Sequence, residues 1–191
     1  KLGEAALEVG YPVALKMISS RLAHKTEAGA VALNIEDKNS LNRAAKRMKI
    51  DVTAYDAKAT SDLFLVEQMS PKPLAELIIN MRQDPQFGAA LVLGSGGVLV
   101  ELLADSVTLL LPTRPVEIIR AIKSLQVGRL LGGFRGRPAA DIPKLTEEIY
   151  KLSIAFQEDL KSIAEIEINS LFVYQTEVTA IDALIQVSNN E

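Results

Sequence analysis

The chain contains no cysteine. That excludes disulfides, zinc–thiolate sites and thiol nucleophiles, and it fits a reducing compartment. Long apolar runs are missing too. A bilayer span needs about 20 such residues, and the nearest stretch, "AALVLGSGGVLVELL", is broken by glycines and stopped at Glu101. No secretory signal pattern is visible. These features predict a cytoplasmic protein with no membrane partner. There is no basic excess: 21 Lys and Arg face 24 Asp and Glu, a formal charge of -3. Such a surface repels phosphate backbones overall, so nucleic acid is not an expected partner, although a local basic spot can still hold a small polyphosphate. Finally, histidine is almost absent. His24 is the single one, and by itself a lone histidine reads as a surface or satisfied core residue.

What is present is ample core material. Of 191 residues, 48% are hydrophobic, enough for one or two domains. The chain opens on Lys1 inside what reads as a helix already under way, which predicts a piece of a longer protein. In "KLGEAALEVG", Leu2, Ala5, Ala6 and Val9 recur at helical spacing, and Gly10 stands where a helix stops. Pro12 forbids continuation, and "VALKMI" and "AGAVALNI" read as strands. "DKNSLNRAAKRM" reads as a helix with Leu41, Ala44, Ala45 and Met48 inward; residues 50–62 are polar and weakly patterned. "LFLVEQM", "AELIINM", "AALVLG", "VLVELL" and "SVTLLLP" follow as strands, with a turn at "RQDPQFG". "PVEIIRAIKSL" and "IPKLTEEIYKLSIAFQEDL" are predicted helices, the second with Ile142, Leu145, Ile149, Leu152, Phe156 and Leu160 on one stripe. "IAEIEINSLFV" and "VTAIDALIQV" close the chain as apolar strands. Strands that neighbour one another as hairpins predict an α+β fold rather than a doubly wound parallel sheet. The join at Ser70–Pro73, "SPKP", predicts a hinge between a lobe of residues 1–70 and one of residues 71–191.

Several residues carry chemical potential. Lys16 interrupts the strand "VALKMI". Aimed into a cleft it offers a compact positive charge to phosphate oxygens, while on a solvent face it does nothing special. "GSGGV" lets backbone approach an anion closely, or simply makes a tight turn. It is neither GxGxxG nor a GxxxxGK[ST] loop. "FRGRP" sets two arginines around a glycine, a fork for carboxylate or phosphate or else a solvated loop. Glu165, Glu167 and Asn169 share a strand face by the period of two. Asp182 sits in an apolar strand, where an unpaired carboxylate is costly. A carboxylate and an amide oxygen on neighbouring strands suit Mg²⁺, which takes waters and phosphates alongside; the alternative is two unrelated polar strand ends.

Taken in order, "GYPVALKMIS…LAHKTEAGAV", "FLVEQM", "AELIINMRQDPQFG", "GSGGVLVELL", "FRGRP", "EIEINSLFV" and "VTAIDAL" resemble the ATP-grasp region of NDP-forming acyl-CoA synthetases. That family includes ADP-forming acetyl-CoA synthetases and forms fused to an acetyltransferase; succinyl-CoA synthetase β subunits are distant relatives. The resemblance spans nearly the whole chain. It implies an ATP-grasp fold with nucleotide between two α+β lobes. It also implies roles by position. Lys16 approaches the nucleotide phosphates. Glu67 and Met69 border the adenine, with main chain available to read the base edge. Glu76 lies near ribose or phosphates, and Gly96 and Gly97 are the paired glycines. Asn169 and Asp182 hold Mg²⁺. His24 is the residue that shuttles phosphate as phosphohistidine, a task for which a neutral imidazole is suited at its ordinary pKa of about 6.5. The implied ligands are ATP or ADP and Mg²⁺. The implied partners are a CoA-binding domain or subunit of the same enzyme and, through it, an acyl-CoA; a homo-oligomer is allowed.

The sequence departs from that family in three ways. Ala30 stands where a second glycine is usual. Ser170 replaces the proline after Asn169. The family's region also begins some tens of residues before Lys1, so this piece alone is expected to bind nucleotide poorly and to be inactive. Two functions remain: the phosphoryl-transfer module of an acyl-CoA synthetase, or a non-catalytic nucleotide sensor attached to an acetyltransferase. Another ATP-grasp ligase, activating a carboxylate directly, is a third. His24, Asn169 and Asp182 favour the first, since a sensor needs no phosphoryl acceptor.

Overall fold

A computed structural model describes residues 1–22, 25–97, 105–160 and 162–188. Among these, chain contacts define two compact units, Lys1–Pro71 and Lys72–Glu191.

In the first unit, helix α1 (Leu2–Val9) ends at Gly10, whose φ of 88° is one that residues with a side chain rarely adopt. Strands β1 (Val13–Met17), β2 (Val31–Ile35) and β3 (Phe64–Gln68) form an antiparallel sheet in the order β2-β1-β3. β1 is its central strand and all five of its residues are buried. Helix α2 (Lys38–Tyr55) starts on a capping box: the Asp37 carboxylate accepts from the Asn39 and Ser40 amides, and the Ser40 hydroxyl accepts from the Asp37 amide. It runs past the helix read from the sequence, through residues that looked weakly patterned. Its buried stripe of Leu41, Ala45 and Met48 continues to Val52, and the charges between fall on the outer face. Ala30, in place of a glycine, is fully buried, and its carbonyl accepts from the Met17 amide.

The second unit is a six-stranded antiparallel sheet with helices on one face. Strands β4 (Ala75–Asp84), β5 (Gly88–Ser95), β6 (Ser106–Leu110), β7 (Ile163–Val173) and β8 (Val178–Ala180) run in the order β6-β5-β4-β7-β8, and β9 (Ala183–Val187) also pairs with β7. Asp84 closes the β4–β5 turn by accepting from the Gln86 and Phe87 amides. Helices α3 (Pro115–Ser124), α4 (Val127–Leu131) and α5 (Ile142–Glu158) supply the other half of the core. Leu77, Ile79, Met81, Leu91 and Leu93 of the sheet pack with Ile118, Ile122, Leu145, Ile149 and Phe156 of the helices. Because strand side chains alternate, that packing leaves Glu76, Ile78, Asn80 and Arg82 on the opposite face of β4.

Three readings need adjustment. α4 was not legible, being only five residues long. The stripe of α5 stops short of Leu160, since the helix ends at Glu158. "VTAIDALIQV" is two strands, because the chain breaks at Ile181–Asp182 to follow an irregularity in β7 described below. The predicted strand "VLVELL" lies outside the described residues.

Phe156 is fully buried, whereas Leu110 on β6 is 54% exposed. Phe156→Ala should cost about 3–5 kcal/mol through lost burial and a residual cavity, and Leu110→Ala no more than about 0.5 kcal/mol. Urea unfolding of the two variants checks this, and equal midpoints would contradict the packing.

Candidate functional site

Two groups of residues singled out by the sequence occur, one in each unit. In the first, Lys16 is not on a solvent face. It is 8% exposed, and its Nζ lies 2.7 Å from Oε2 of Glu67. The register explains the pairing. Ala14 is opposite Glu67 and Lys16 opposite Leu65, so Lys16 and Glu67 are diagonal neighbours on one face of the β1–β3 pair. A buried ammonium needs such a counter-charge, while Glu67, 37% exposed at its side chain, keeps contact with solvent. Met69 lies just beyond β3, and its amide donates to the Pro12 carbonyl at 3.3 Å. That N–H is thereby engaged within the unit.

In the second unit the β7 strand changes phase. Ile166 and Ile168 are buried, and then Leu171 and Val173, so one extra residue intervenes. The register against β4 shows the same slip: Ile78 is opposite Asn169 and Leu77 opposite Leu171. Ser170 is the residue left over, as in a β-bulge. Its partner segment breaks at the same point. The Ile181 amide donates to the Ser170 carbonyl at 3.0 Å, and the Asn169 amide to the Asp182 carbonyl at 3.1 Å. Asn169 and Asp182, distant in sequence, are therefore main-chain neighbours. One Asp182 carboxylate oxygen also accepts from the Ala183 amide.

Glu76 adjoins this place. The Ser170 hydroxyl donates to Glu76 Oε2 at 2.9 Å. Proline, usual at this position in the resembled family, could not make that bond. Gly96 and Gly97 press against the same residue. The Gly96 amide donates to the Glu76 carbonyl at 2.7 Å, and a Cβ on Gly96 would meet the β4 backbone at 2.9 Å. A Cβ on Gly97 would stand 2.9 Å from Glu76 Oε2, and its φ is +74°. The paired glycines are thus required by close approach to β4. Further along the same face, the Asn80 amide donates to Glu165 at 2.5 Å.

Among the described residues, no group of three or more His, Cys, Asp and Glu side chains gathers to hold a metal. Asn169 and Asp182 supply two oxygen-bearing side chains. This fits Mg²⁺, which binds through one or two carboxylates with phosphate oxygens and waters, better than a cation needing an all-protein cage. His24 lies outside the described residues.

Two features escaped the sequence reading. Ser170 was noted only as a departure from proline. Asp105 was not noted at all. It accepts from the Ser95 hydroxyl at 2.5 Å and from the Gln126 and Val127 amides at 2.8 and 3.3 Å, tying the end of β5 to the start of α4. Burial pushes its pKa up, but those three donors outweigh it and hold the carboxyl below its ordinary value. A depressed folded-state pKa contributes stability above the unfolded value of about 3.9, and that stability fades as pH falls through the folded value. Asp105→Asn should therefore show the same deficit in urea midpoint at about pH 7 and pH 5, and a smaller one near pH 3. A deficit unchanged near pH 3 would rule out the charged carboxylate as its source.

Comparison with known proteins agrees with this fold. The ATP-grasp domain family matches residues 1–187. The acetate–CoA ligase (ADP-forming) I β subunit of Pyrococcus furiosus is 34% identical over 177 residues, covering 92% of this chain and 75% of that protein. The 4-hydroxybutyrate–CoA ligase (ADP-forming) of Nitrosopumilus maritimus is 36% identical over 172 residues, covering 90% of this chain but 24% of its own. Among solved structures, a dinucleotide-forming acetyl-coenzyme A synthetase of Ca. Korarchaeum cryptofilum, in complex with coenzyme A and Ca-AMPCP, superposes with a TM-score of 0.88 at 29% identity, over 98% of this chain and 81% of that one.

Proposed function

The chain belongs to the ATP-grasp domain family, alongside ADP-forming acyl-CoA ligases, and we propose that it binds Mg·ATP and passes a phosphoryl group through His24. The observation that carries the proposal is the meeting of Asn169 and Asp182 at the β7 irregularity, in a chain matched to the family over residues 1–187. When bound, Mg²⁺ would neutralise phosphate charge at these two side chains. Lys16, held by Glu67, offers a fixed positive charge to phosphate oxygens in the first unit. Glu67 and Met69 border the base, and Glu76, with Gly96 and Gly97 against it, faces the ribose or phosphates. The neutral His24 imidazole attacks the γ-phosphorus. The new P–N bond forms as the bond to ADP oxygen breaks, and ADP leaves. The reverse step would make ATP when acyl-CoA and phosphate are consumed in a CoA-binding partner of the same enzyme. The cytoplasm, where such nucleotides abound, is the proposed location. Residues 1–70 and 71–191 are proposed as the two lobes.

Asp182→Asn removes a charged ligand. It should weaken Mg·ATP by at least about tenfold, or 1.4 kcal/mol, and magnesium-free ATP far less. Calorimetry on the full natural chain reads both, and equal losses would reject the metal assignment.

The relay has its own test. Full natural chain incubated with γ-labelled Mg·ATP should carry label in the peptide spanning Ser19–Val31. The label should be lost in acid and kept in base, and be absent in His24→Asn. Nucleotide binding should survive that substitution. Full acyl-CoA synthesis by His24→Asn would remove His24 from the mechanism. ATP binding without any synthesis by the unaltered chain would point to a nucleotide sensor instead.

A further inference from the structure

Resting on the nucleotide reading above, we propose that Lys72 and Arg137 are two further nucleotide residues, which hold the polyphosphate where it passes Glu76. Glu76, Gly96 and Gly97 border a cavity of about 450 Å³ at one end of the second unit's sheet, within the roughly 300–1,000 Å³ of small-molecule sites. It opens where the chain enters β4, beside the end of β5 and the start of α4. Among the described residues, the charged ones that line it are Glu76, Lys72 and Arg137.

The charge balance calls for cations here. The second-unit residues assigned so far to Mg·ATP are Glu76, Gly96, Gly97, Asn169 and Asp182, acids and neutral groups alone. Mg²⁺ would offset part of the phosphate charge, but a carboxylate beside a polyphosphate repels it. Main-chain donors do not fill the gap, because most along the cavity wall are engaged already. The Ser95 amide donates to the Asp105 carbonyl at 2.9 Å and the Gly96 amide to the Glu76 carbonyl at 2.7 Å. The Leu74 amide donates to the Val173 carbonyl at 2.8 Å, and Pro73 has no N–H. At the start of α4, the Gln126 and Val127 amides both donate to the Asp105 carboxylate, as does the Ser95 hydroxyl. An anion in this cavity therefore depends on side-chain cations.

Lys72 and Arg137 meet that need. Both are exposed, and among the described residues neither side chain has an ion-pair partner. The two arginines of "FRGRP" are split. Arg135 stands over the Phe134 ring at 5.2 Å and is not part of the lining, whereas Arg137 is. The loop that carries Arg137 is tightly folded. The Arg137 amide donates to the Phe134 carbonyl at 3.2 Å. Gly133, at φ +84°, sits so close that a Cβ on it would meet the Arg137 carbonyl at 3.2 Å. The guanidinium is thus presented from an ordered turn. It offers a fork to two phosphate oxygens, and Lys72 adds a point charge. Pro73, Leu74, Val127 and Leu130 make the rest of the wall apolar, which lowers the local dielectric and strengthens both attractions.

The test titrates the full natural chain with ADP, ATP and adenosine in the presence of Mg²⁺, read by calorimetry. Arg137→Ala and Lys72→Ala should each weaken ADP and ATP about tenfold. Adenosine, which has no phosphate, should weaken less than about twofold, and its binding also reports that each variant is folded. Arg137→Lys should recover part of the loss, since it keeps the charge but not the fork. Arg135→Ala should leave all three ligands unchanged. ADP affinity unchanged in both alanine variants, or lost in step with adenosine, overturns the assignment while the nucleotide reading stands. Failure of the unaltered chain to bind ADP or ATP overturns that reading and the assignment with it.

Discussion

The second unit depends on how closely the chain can approach β4 at Glu76. Two segments converge there. The end of β5 turns across it through Gly96, whose amide is bound to the Glu76 carbonyl and whose missing Cβ leaves room for the β4 backbone. Gly97 lies on the carboxylate itself. Ser170 reaches it from β7 with a hydroxyl. Any side chain at either glycine collides with backbone or with a charged group, so the approach is all or nothing. An ordered Glu76 then serves two surroundings at once. One is the sheet face that carries Asn169. The other is the cavity bordered by Arg137.

A second constraint acts in the first unit and has a different character. β1 is buried along its whole length, yet it carries a lysine. The cost of dehydrating that ammonium is several kcal/mol in general, and here it is offset by Glu67 one strand away. Such a pair contributes little net stability, since two apolar residues would pack as well. Its value is positional. A positive charge is fixed on a rigid central strand, with its long side chain already ordered. That arrangement suits binding of an anion.

Much of this was legible in the sequence, for identifiable reasons. Elements longer than a few turns announce themselves by period: the stripe Leu145, Ile149, Phe156 and the alternation along "IAEIEIN" both survive in the structure. Lys16 and Asp182 were conspicuous because a charge inside an apolar run is expensive. The illegible parts are those where one residue offsets the pattern. Alternation extrapolated through "EINSLFV" places Leu171 and Val173 on the wrong face, because nothing local reveals that Ser170 is supernumerary. Val52 was hidden by polar neighbours that fall on the outer side of α2. Asp105 was invisible for another reason: its three donors come from Ser95, Gln126 and Val127, and only folding brings them together.

The irregularity at Ser170 shows why such an offset is retained. With perfect alternation, Asn169 and Leu171 would share a face, and the residue between them would point into the helices. The extra residue lets Asn169 and Ser170 serve the same neighbourhood in succession. Asn169 stands beside Asp182 through the main chain, and Ser170 binds Glu76 through its side chain. The strand opposite must break to keep pace, which is why the apolar run "VTAIDALIQV" divides at Asp182. The break falls where the Asn169 amide donates to the Asp182 carbonyl. Pairing geometry, rather than the residue types alone, therefore makes Asn169 and Asp182 neighbours. A proline in place of Ser170 could preserve the offset but would leave Glu76 without its hydroxyl donor. In this chain the positioning of Glu76 and the meeting of Asn169 with Asp182 are consequences of one inserted residue.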